Sequence, residues 1–215
     1  IYKKIKKNVH LASISGGTDI ISCFVTGNPE LSVHAGEIQC KALGMDVDIF
    51  DEIGNSLNSK KGELVCKTTF PSKPIYFFND KNNKKYFNAY FSKYKNIWHH
   101  GDYAATTENK GYIIYGRSDA TLNSGGIRIG TAELYRVVEN IEYISECLAT
   151  ELNVNNDTEI ILFIKIYKNK ILDDPFKNYI KEEIKRLLSP KHIPSKIILM
   201  KDIPKTKSGK IVEIT

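Results

Sequence analysis

The sequence has few cysteines, and their placement is informative. Cys23, Cys40, Cys66 and Cys147 stand far apart, with no CxxC pair and no histidine at metal-ligand spacing, so neither a zinc site nor a disulfide framework is indicated. Long apolar runs are missing too: nothing approaches the ~20 residues of a membrane span, and the basic opening IYKKIKKNVHLASISGG lacks a signal-peptide core. A reducing, cytoplasmic location and no membrane span are therefore expected. A basic stripe interleaved with stacking aromatics is also lacking. The net charge of +6 is spread through Lys/Asn-rich stretches such as Lys81 to Lys85, and no nucleic-acid partner is expected. The chain opens on isoleucine and starts at once in a motif, from which a piece of a longer protein is expected.

What is present is enough for a folded protein. With 215 residues, 41% hydrophobic and 26% charged, the chain has room for one large or two small domains around a real core. Residues 9 to 26 read as a strand over VHLASIS, a turn at Gly16 and Gly17, and a second ordered segment at IISCFV. From about 36 to 116, short β-type runs (MDVDIF, GELVCKT, GYIIYG) alternate with turn signals, as in a β-rich subdomain. Asn79 to Trp98 is more helix-like, with Tyr86, Phe87, Tyr90, Phe91 and Tyr94 at three- and four-residue intervals as a core stripe.

A boundary is expected near Arg117 to Asp119, dividing the chain into 1–118 and 119–215. Beyond it, Thr131 to Asn140 is an amphipathic helix with Leu134, Val137, Val138 and Ile141 on one side, and strands follow at about 143–152 and 160–167. Asp174 and Pro175 give N-cap and first-turn signals for a helix with Phe176, Ile180, Ile184, Leu187 and Leu188 inward, closed by Ser189 and Pro190. A strand at KIILM and the loop KDIPKTKSGK complete the pattern. The fold class is mixed α/β (α+β), and there are no internal repeats.

Four segments offer chemistry, and each also has a plain structural reading. In PKTKSGKI a glycine-flanked lysine, Lys210, offers a mobile cation and backbone N–H groups to a carboxylate or phosphate. It is not a Walker A loop, because the upstream glycine of GxxxxGK is absent and no Ser or Thr follows Lys210. By itself it reads more readily as an ordinary exposed basic loop. In YGRSDATLNSGGIRIGTAELY, Arg117 and Arg128 are planar forks suited to phosphate or ribose, and Gly125 and Gly126 leave room beside the backbone; the plain reading is a glycine hairpin. In WHHGDY, Asp102 can accept from two ribose hydroxyls, while His99 and His100, adjacent in an extended segment, point to opposite faces and cannot readily share a metal ion. In SISGGTDI, Thr18 can meet a phosphate and Asp19 a hard cation such as Mg2+, or the segment is a simple Asx-capped turn.

The order of the four is more specific than any one. A Thr-acid pair after glycines, then HGD, then YGRSD with a GG turn and arginine, then PKTKSGK, resembles the acyl-adenylate-forming superfamily over essentially the whole chain. Within it, SISGGTDI, GEIQCKALGM, the segment from YGRSD to RVVE and the ending SPKHIPSKIILMKDIPKTKSGKIVE are similar to the acetoacetate-CoA ligases. The resemblance implies a β-rich end of the large AMP-binding domain over 1–118 and a small mobile α+β domain over 119–215. It implies ATP, Mg2+ and CoA as co-substrates and cofactor, and acetoacetate as the acid. Thr18 would meet the α-phosphate and Asp19 would hold Mg2+, although most members have glutamate there. Asp102 and Arg117 would take the ribose, Asp119 would be the hinge, Arg128 would lie near phosphate, Gly126 would line the pantetheine passage, and Lys210 would stabilise the adenylation transition state.

Acetyl-CoA synthetases carry a tryptophan before the Thr-acid pair that fills the acyl pocket. Here Gly16 and Gly17 stand instead, which favours a larger acyl group, and a Gly16→Trp change is expected to disfavour acetoacetate relative to acetate. The superfamily's phosphate loop and adenine segment are not in the sequence, so these 215 residues alone are expected to be inactive or nearly so. Two alternatives stand beside this reading: a ligase for another short or branched acid, and a noncatalytic nucleotide-binding or assembly module.

Overall fold

The computed structural model describes the chain except for residues 125, 155, 156, 168, 169, 208, 214 and 215 and the side chain of Asp157. Two compact units divide between Ile114 and Tyr115. The mixed α/β, strand-rich architecture read from the sequence is the one the chain adopts.

In the first unit, β1 (Ser15–Gly17), β2 (Ser22–Thr26) and β3 (Cys40–Lys41) form an antiparallel sheet in that order. A second sheet is ordered β4 (Val47–Phe50), β5 (Gly62–Cys66), β6 (Trp98–Thr106), β7 (Tyr112–Arg117), the chain passing from the first unit to the second within β7. Strand β5, GELVC, is buried along its whole length, so even its charged residue lies inside. Glu63 is 1% exposed, and the Lys93 ammonium at 2.8 Å and the His99 imidazole at 3.0 Å meet its two oxygens. A buried carboxylate is tolerable only when paired in this way. The aromatic stripe closes over the sheet: Tyr90 stacks on Trp98 at 3.7 Å between centroids, while Phe70 and Phe91 meet the indole edge-on. Such pairs add to the area that the rings bury.

Two expectations for this unit need correcting. Residues 9 to 14 lie outside any strand and are exposed, and Gly16 and Gly17 are themselves strand residues, the turn falling at Thr18 to Ile21. The reason is steric. A Cβ at Gly16 would lie 2.3 Å from the Ser22 carbonyl oxygen and 2.4 Å from Cys23 Cα, so glycine is required for β1 to approach β2. The helix expected over 79–98 is only the seven residues of α1 (Lys84–Tyr90). Asn82 and Asn83 hold left-handed backbone just before it, at φ 61° and 55°, and the Asp80 carboxylate accepts from the Lys85 and Tyr86 N–H groups at its start.

The second unit carries the hairpin β8 (Leu122–Ser124) and β9 (Ile127–Ile129), then α2 (Thr131–Val138). Its sheet is ordered β10 (Ile144–Val154), β11 (Asp157–Ile166), β12 (Lys196–Leu199), the first pair antiparallel and the second parallel, with α3 (Asp174–Leu187) lying in sequence between β11 and β12. One core joins both helices to the sheet. Leu134, Val137, Val138 and Ile141 meet Phe176, Ile180 and Ile184 over Ala149, Leu162 and Ile164. The expected inward residue Leu187 is instead half exposed, because the helix ends there and its last turn leaves the core.

The cap of α3 is also one residue earlier than expected. The Asp173 carboxylate, not Asp174, accepts from the Phe176 N–H at 2.9 Å, which leaves Pro175 inside the first turn where it needs no donor. Replacing Asp173 by alanine is expected to cost about 1 kcal/mol in urea denaturation. Asp174→Ala, which removes only an exposed pair with Lys177, is expected to cost a few tenths of a kcal/mol at most.

Candidate functional site

In the first unit the HGD segment sits on a bulge. Val65 faces His99 and Glu63 faces Tyr103, so two residues of β5 span four of β6, and Gly101 supplies the left-handed backbone at φ 82°. A bulge of this kind re-aims side chains, and here His100 and Asp102 both end up buried. Trp98 Nε1–H donates to His100 Nδ1 at 3.4 Å, and the His100 ring meets Phe24 edge-on at 4.7 Å.

The glycine-rich turn lies against this histidine. A Cβ at Gly17 would come within 2.6 Å of His100 Cε1 and 2.2 Å of Asp19 Oδ1, so the bare backbone is what lets the Thr18–Asp19 turn rest there. Thr18 and Asp19 are exposed. Asp19 Oδ1 accepts the Ile20 N–H at 3.1 Å, and its Oδ2 accepts the hydroxyl of Tyr90, the ring that stacks on Trp98. The Thr-acid pair and the HGD strand therefore share one edge of the unit, joined through Tyr90, Trp98 and His100. Sequence reasoning named neither Tyr90 nor His100 for this role. Tyr90 lies 71 positions from Asp19, and the only clue was the aromatic spacing assigned to the core.

The donors present suit a hard cation. Asp19 offers two carboxylate oxygens, each with one hydrogen bond already, and remains open to solvent beside the Thr18 hydroxyl. Among the described residues no cluster of three or more His, Cys, Asp or Glu could enclose a metal. An ion at Asp19 would thus take most of its ligands from phosphate and water, as Mg2+ commonly does.

The second unit assembles a different group. Ser118–Ala120 forms a 3₁₀ turn. Arg117 forks onto Asp119, Nε to Oδ1 at 3.3 Å and Nη2 to Oδ2 at 3.4 Å, and both side chains are about half exposed. Such a pair contributes little to stability and exchanges readily for another anion. Arg128 braces the same turn, Nε donating to Thr121 Oγ1 at 2.9 Å and Nη2 to the Ser118 carbonyl at 3.0 Å. Asp102 belongs to the first unit and Arg117 to the second. Gly126 has φ 78° with nothing within 4 Å of where a Cβ would be, so it is glycine for its backbone and borders open space; Gly125 lies outside the described residues.

Lys210 is exposed on a short closed loop. The Thr206 N–H donates to the Lys210 carbonyl at 2.8 Å, the Gly209 N–H to the Thr206 carbonyl at 2.9 Å, and the Lys210 N–H to Thr206 Oγ1 at 3.2 Å. Gly209 takes φ 85°, which a side chain would oppose. Thr206, Gly209 and Lys210 are therefore held by bonds among themselves, while the four-carbon lysine stem remains free to reach an anion.

No protein-family model matches the chain. Individual proteins do. Over 214 residues the chain is 49% identical to the acetoacetyl-coenzyme A synthetase of Rhizobium meliloti (strain 1021), covering all of this chain and 33% of that protein. It is 43% identical over 216 residues to the acetoacetyl-CoA synthetase of Gallus gallus, covering all of this chain and 32% of that one. Among solved structures, the acetoacetyl-CoA synthetase from Streptomyces lividans matches with a TM-score of 0.89 at 39% identity over 94% of this chain and 30% of its own. The anthranilate CoA ligase AuaEII, at 18% identity and a TM-score of 0.82, shares the fold. The chain thus spans about a third of the length of the curated relatives it matches. Similarity along its entire length, at the level of both sequence and fold, places this chain in the acetoacetyl-CoA synthetase family, matching the carboxyl-terminal portion of its members.

Proposed function

We propose that this chain supplies the ribose clamp, hinge and catalytic lysine of an AMP-forming acid-CoA ligase that activates acetoacetate. In the reaction, a carboxylate oxygen of acetoacetate attacks the α-phosphorus of ATP and pyrophosphate leaves. The CoA thiol then attacks the acyl carbon, giving up its proton, and AMP leaves as acetoacetyl-CoA forms. A carboxylate is a poor electrophile; the mixed anhydride carries a good leaving group. The observation that carries this reading is the shared edge of Thr18, Asp19, His100 and Asp102, which gathers a phosphate-facing hydroxyl, a cation-ready carboxylate and a buried acceptor for ribose.

The roles divide by chemistry. Thr18 donates to the α-phosphate, and Asp19, oriented by Tyr90, would hold Mg2+, which would supply neutralisation of the phosphate charge. Asp102 accepts from the ribose hydroxyls, and Arg117, leaving Asp119, joins it when the second unit swings about that residue. Lys210 bridges the attacking carboxylate and the phosphate oxygens. Gly16 and Gly17 keep bulk out of the acyl pocket, Gly126 borders the pantetheine path, and Arg128 acts near phosphate while bracing the hinge turn.

The test replaces the matching third of the Rhizobium meliloti relative with this chain. AMP formation from ATP, acetoacetate and CoA is expected from the chimera and is not expected from the 215 residues alone. A folded chimera without turnover, or turnover by the isolated chain, would count against the assignment.

A further inference from the structure

The loop that presents Lys210 is pinned on both sides of its neck. The neck itself is backbone: Lys205 and Ile211 form an antiparallel bridge, and the Val212 N–H donates to the Pro204 carbonyl at 3.0 Å. Just before the loop, the Lys205 ammonium donates to Glu146 Oε1 on β10. Glu146 Oε2 lies 3.7 Å from Lys165 Nζ on β11, and Lys165 in turn holds Asp202 at 2.7 Å. Just after the loop, the Tyr135 hydroxyl on α2 donates to Glu213 Oε1 at 2.8 Å and accepts the Ala149 N–H of β10 at 3.3 Å.

The two ties are unequal. The Lys205–Glu146 pair is about a third exposed and is screened by solvent. Tyr135 is partly buried against the core of the unit, where burial first and the Glu213 carboxylate second push its phenol far above the usual tyrosine range. Its hydroxyl thus stays a donor to Glu213 while accepting from Ala149, and ties the tail behind the loop to β10. Glu213 also lines a cleft of about 210 Å³ together with Asp119, Thr121, Leu122, Ala149 and Glu151, so the tail behind the loop and the hinge turn share one wall.

We propose that Tyr135 and Glu146 are positioning residues, which hold the Lys210 loop as a rigid arm of the second unit through Glu213 and Lys205, with Tyr135 the dominant tie. The proposal rests on the role given to Lys210 above. Its physical basis is preorganisation: a cation lowers a barrier most when it need not be reoriented as charge develops, and a lysine stem has no rigidity of its own. Fixing the neck to β10, which also walls the hinge cleft, makes the lysine travel with the hinge rather than with the loop's own fluctuations.

Amide hydrogen exchange on the 215-residue protein tests the clamp without any assay of turnover. Tyr135→Phe is expected to speed exchange at Thr206, Gly209, Lys210 and Val212 by about tenfold, the effect of one lost part-buried hydrogen bond to a charged group, while the β10–β11 ladder keeps its protection. Glu213→Ala should reproduce this, and Glu213→Gln, which keeps an acceptor oxygen, should largely preserve the slow exchange. In the chimera, Tyr135→Phe should lower kcat for acetoacetate-dependent pyrophosphate exchange by about tenfold with KM for ATP unchanged. Unchanged loop amides, or equal acceleration throughout β10 and β11, would overturn the proposal and leave Tyr135 an ordinary core residue. If the loop amides respond as expected but the unsubstituted chimera shows no exchange, the clamp stands and the reading of Lys210 fails.

Discussion

Replacing Lys210 with alanine in the chimera is expected to lower acetoacetate-dependent pyrophosphate exchange by about 10²–10³-fold, the scale of removing one preorganised charge from an adenylation transition state. The change should leave folding untouched, because the side chain is exposed and the loop is closed by backbone bonds from Thr206 and Gly209 that alanine retains. Circular dichroism and the urea midpoint serve as the control. The transfer step should be less affected: preformed acetoacetyl-AMP given to the variant with CoA should yield thioester at a rate within a few fold of the unsubstituted chimera, since no pentavalent phosphate needs stabilising there. A variant that adenylates at the full rate would remove the lysine from the mechanism.

Trp98→Ala has the largest expected effect on stability, about 3–5 kcal/mol, because it empties a site enclosed by Tyr90, Phe70 and Phe91 in the first unit. The same change removes the platform under Tyr90, which orients Asp19, and the donor to His100, against which Gly17 rests. A structural and a functional loss should therefore appear together. The urea midpoint followed by circular dichroism checks the first. Trp98 is the sole tryptophan, so fluorescence of the unsubstituted chain reports unfolding of this unit specifically. In the chimera, the accompanying loss should be seen as a higher KM for MgATP. An unchanged midpoint would contradict the central place given to this ring.

Much of the second unit was legible because its signals are local. Leu134, Val137 and Val138 recur at helical spacing and are buried as that spacing requires, and Pro175 marks the start of α3 within one residue. The long strands β10 and β11 were found for the same reason, although their ends and the Leu187 turn were not. In the first unit the decisive features are nonlocal. The Glu63–Lys93–His99 cluster, the β6 bulge and the Asp19–Tyr90 bond join residues far apart in sequence, and no period encodes them.

The glycine pair has a packing reason that its sequence context does not reveal. The sequence suggests space for an acyl group at Gly16 and Gly17, yet Gly16 is already demanded by the carbonyl of Ser22 and Gly17 by the ring of His100. A tryptophan placed at 16 would collide with backbone, so that substitution reports on the pairing of β1 with β2 rather than on substrate choice. Specificity is better read from the unsubstituted chimera against a panel of acids.

That panel is also the most direct test of the central claim. Catalytic efficiency of the chimera should be measured with acetoacetate, acetate and butyrate at saturating ATP and CoA. The account expects acetoacetate to exceed each of the others by at least about tenfold, the discrimination available from one well-matched polar or steric contact. Equal efficiencies, or a preference for acetate or butyrate, would contradict it.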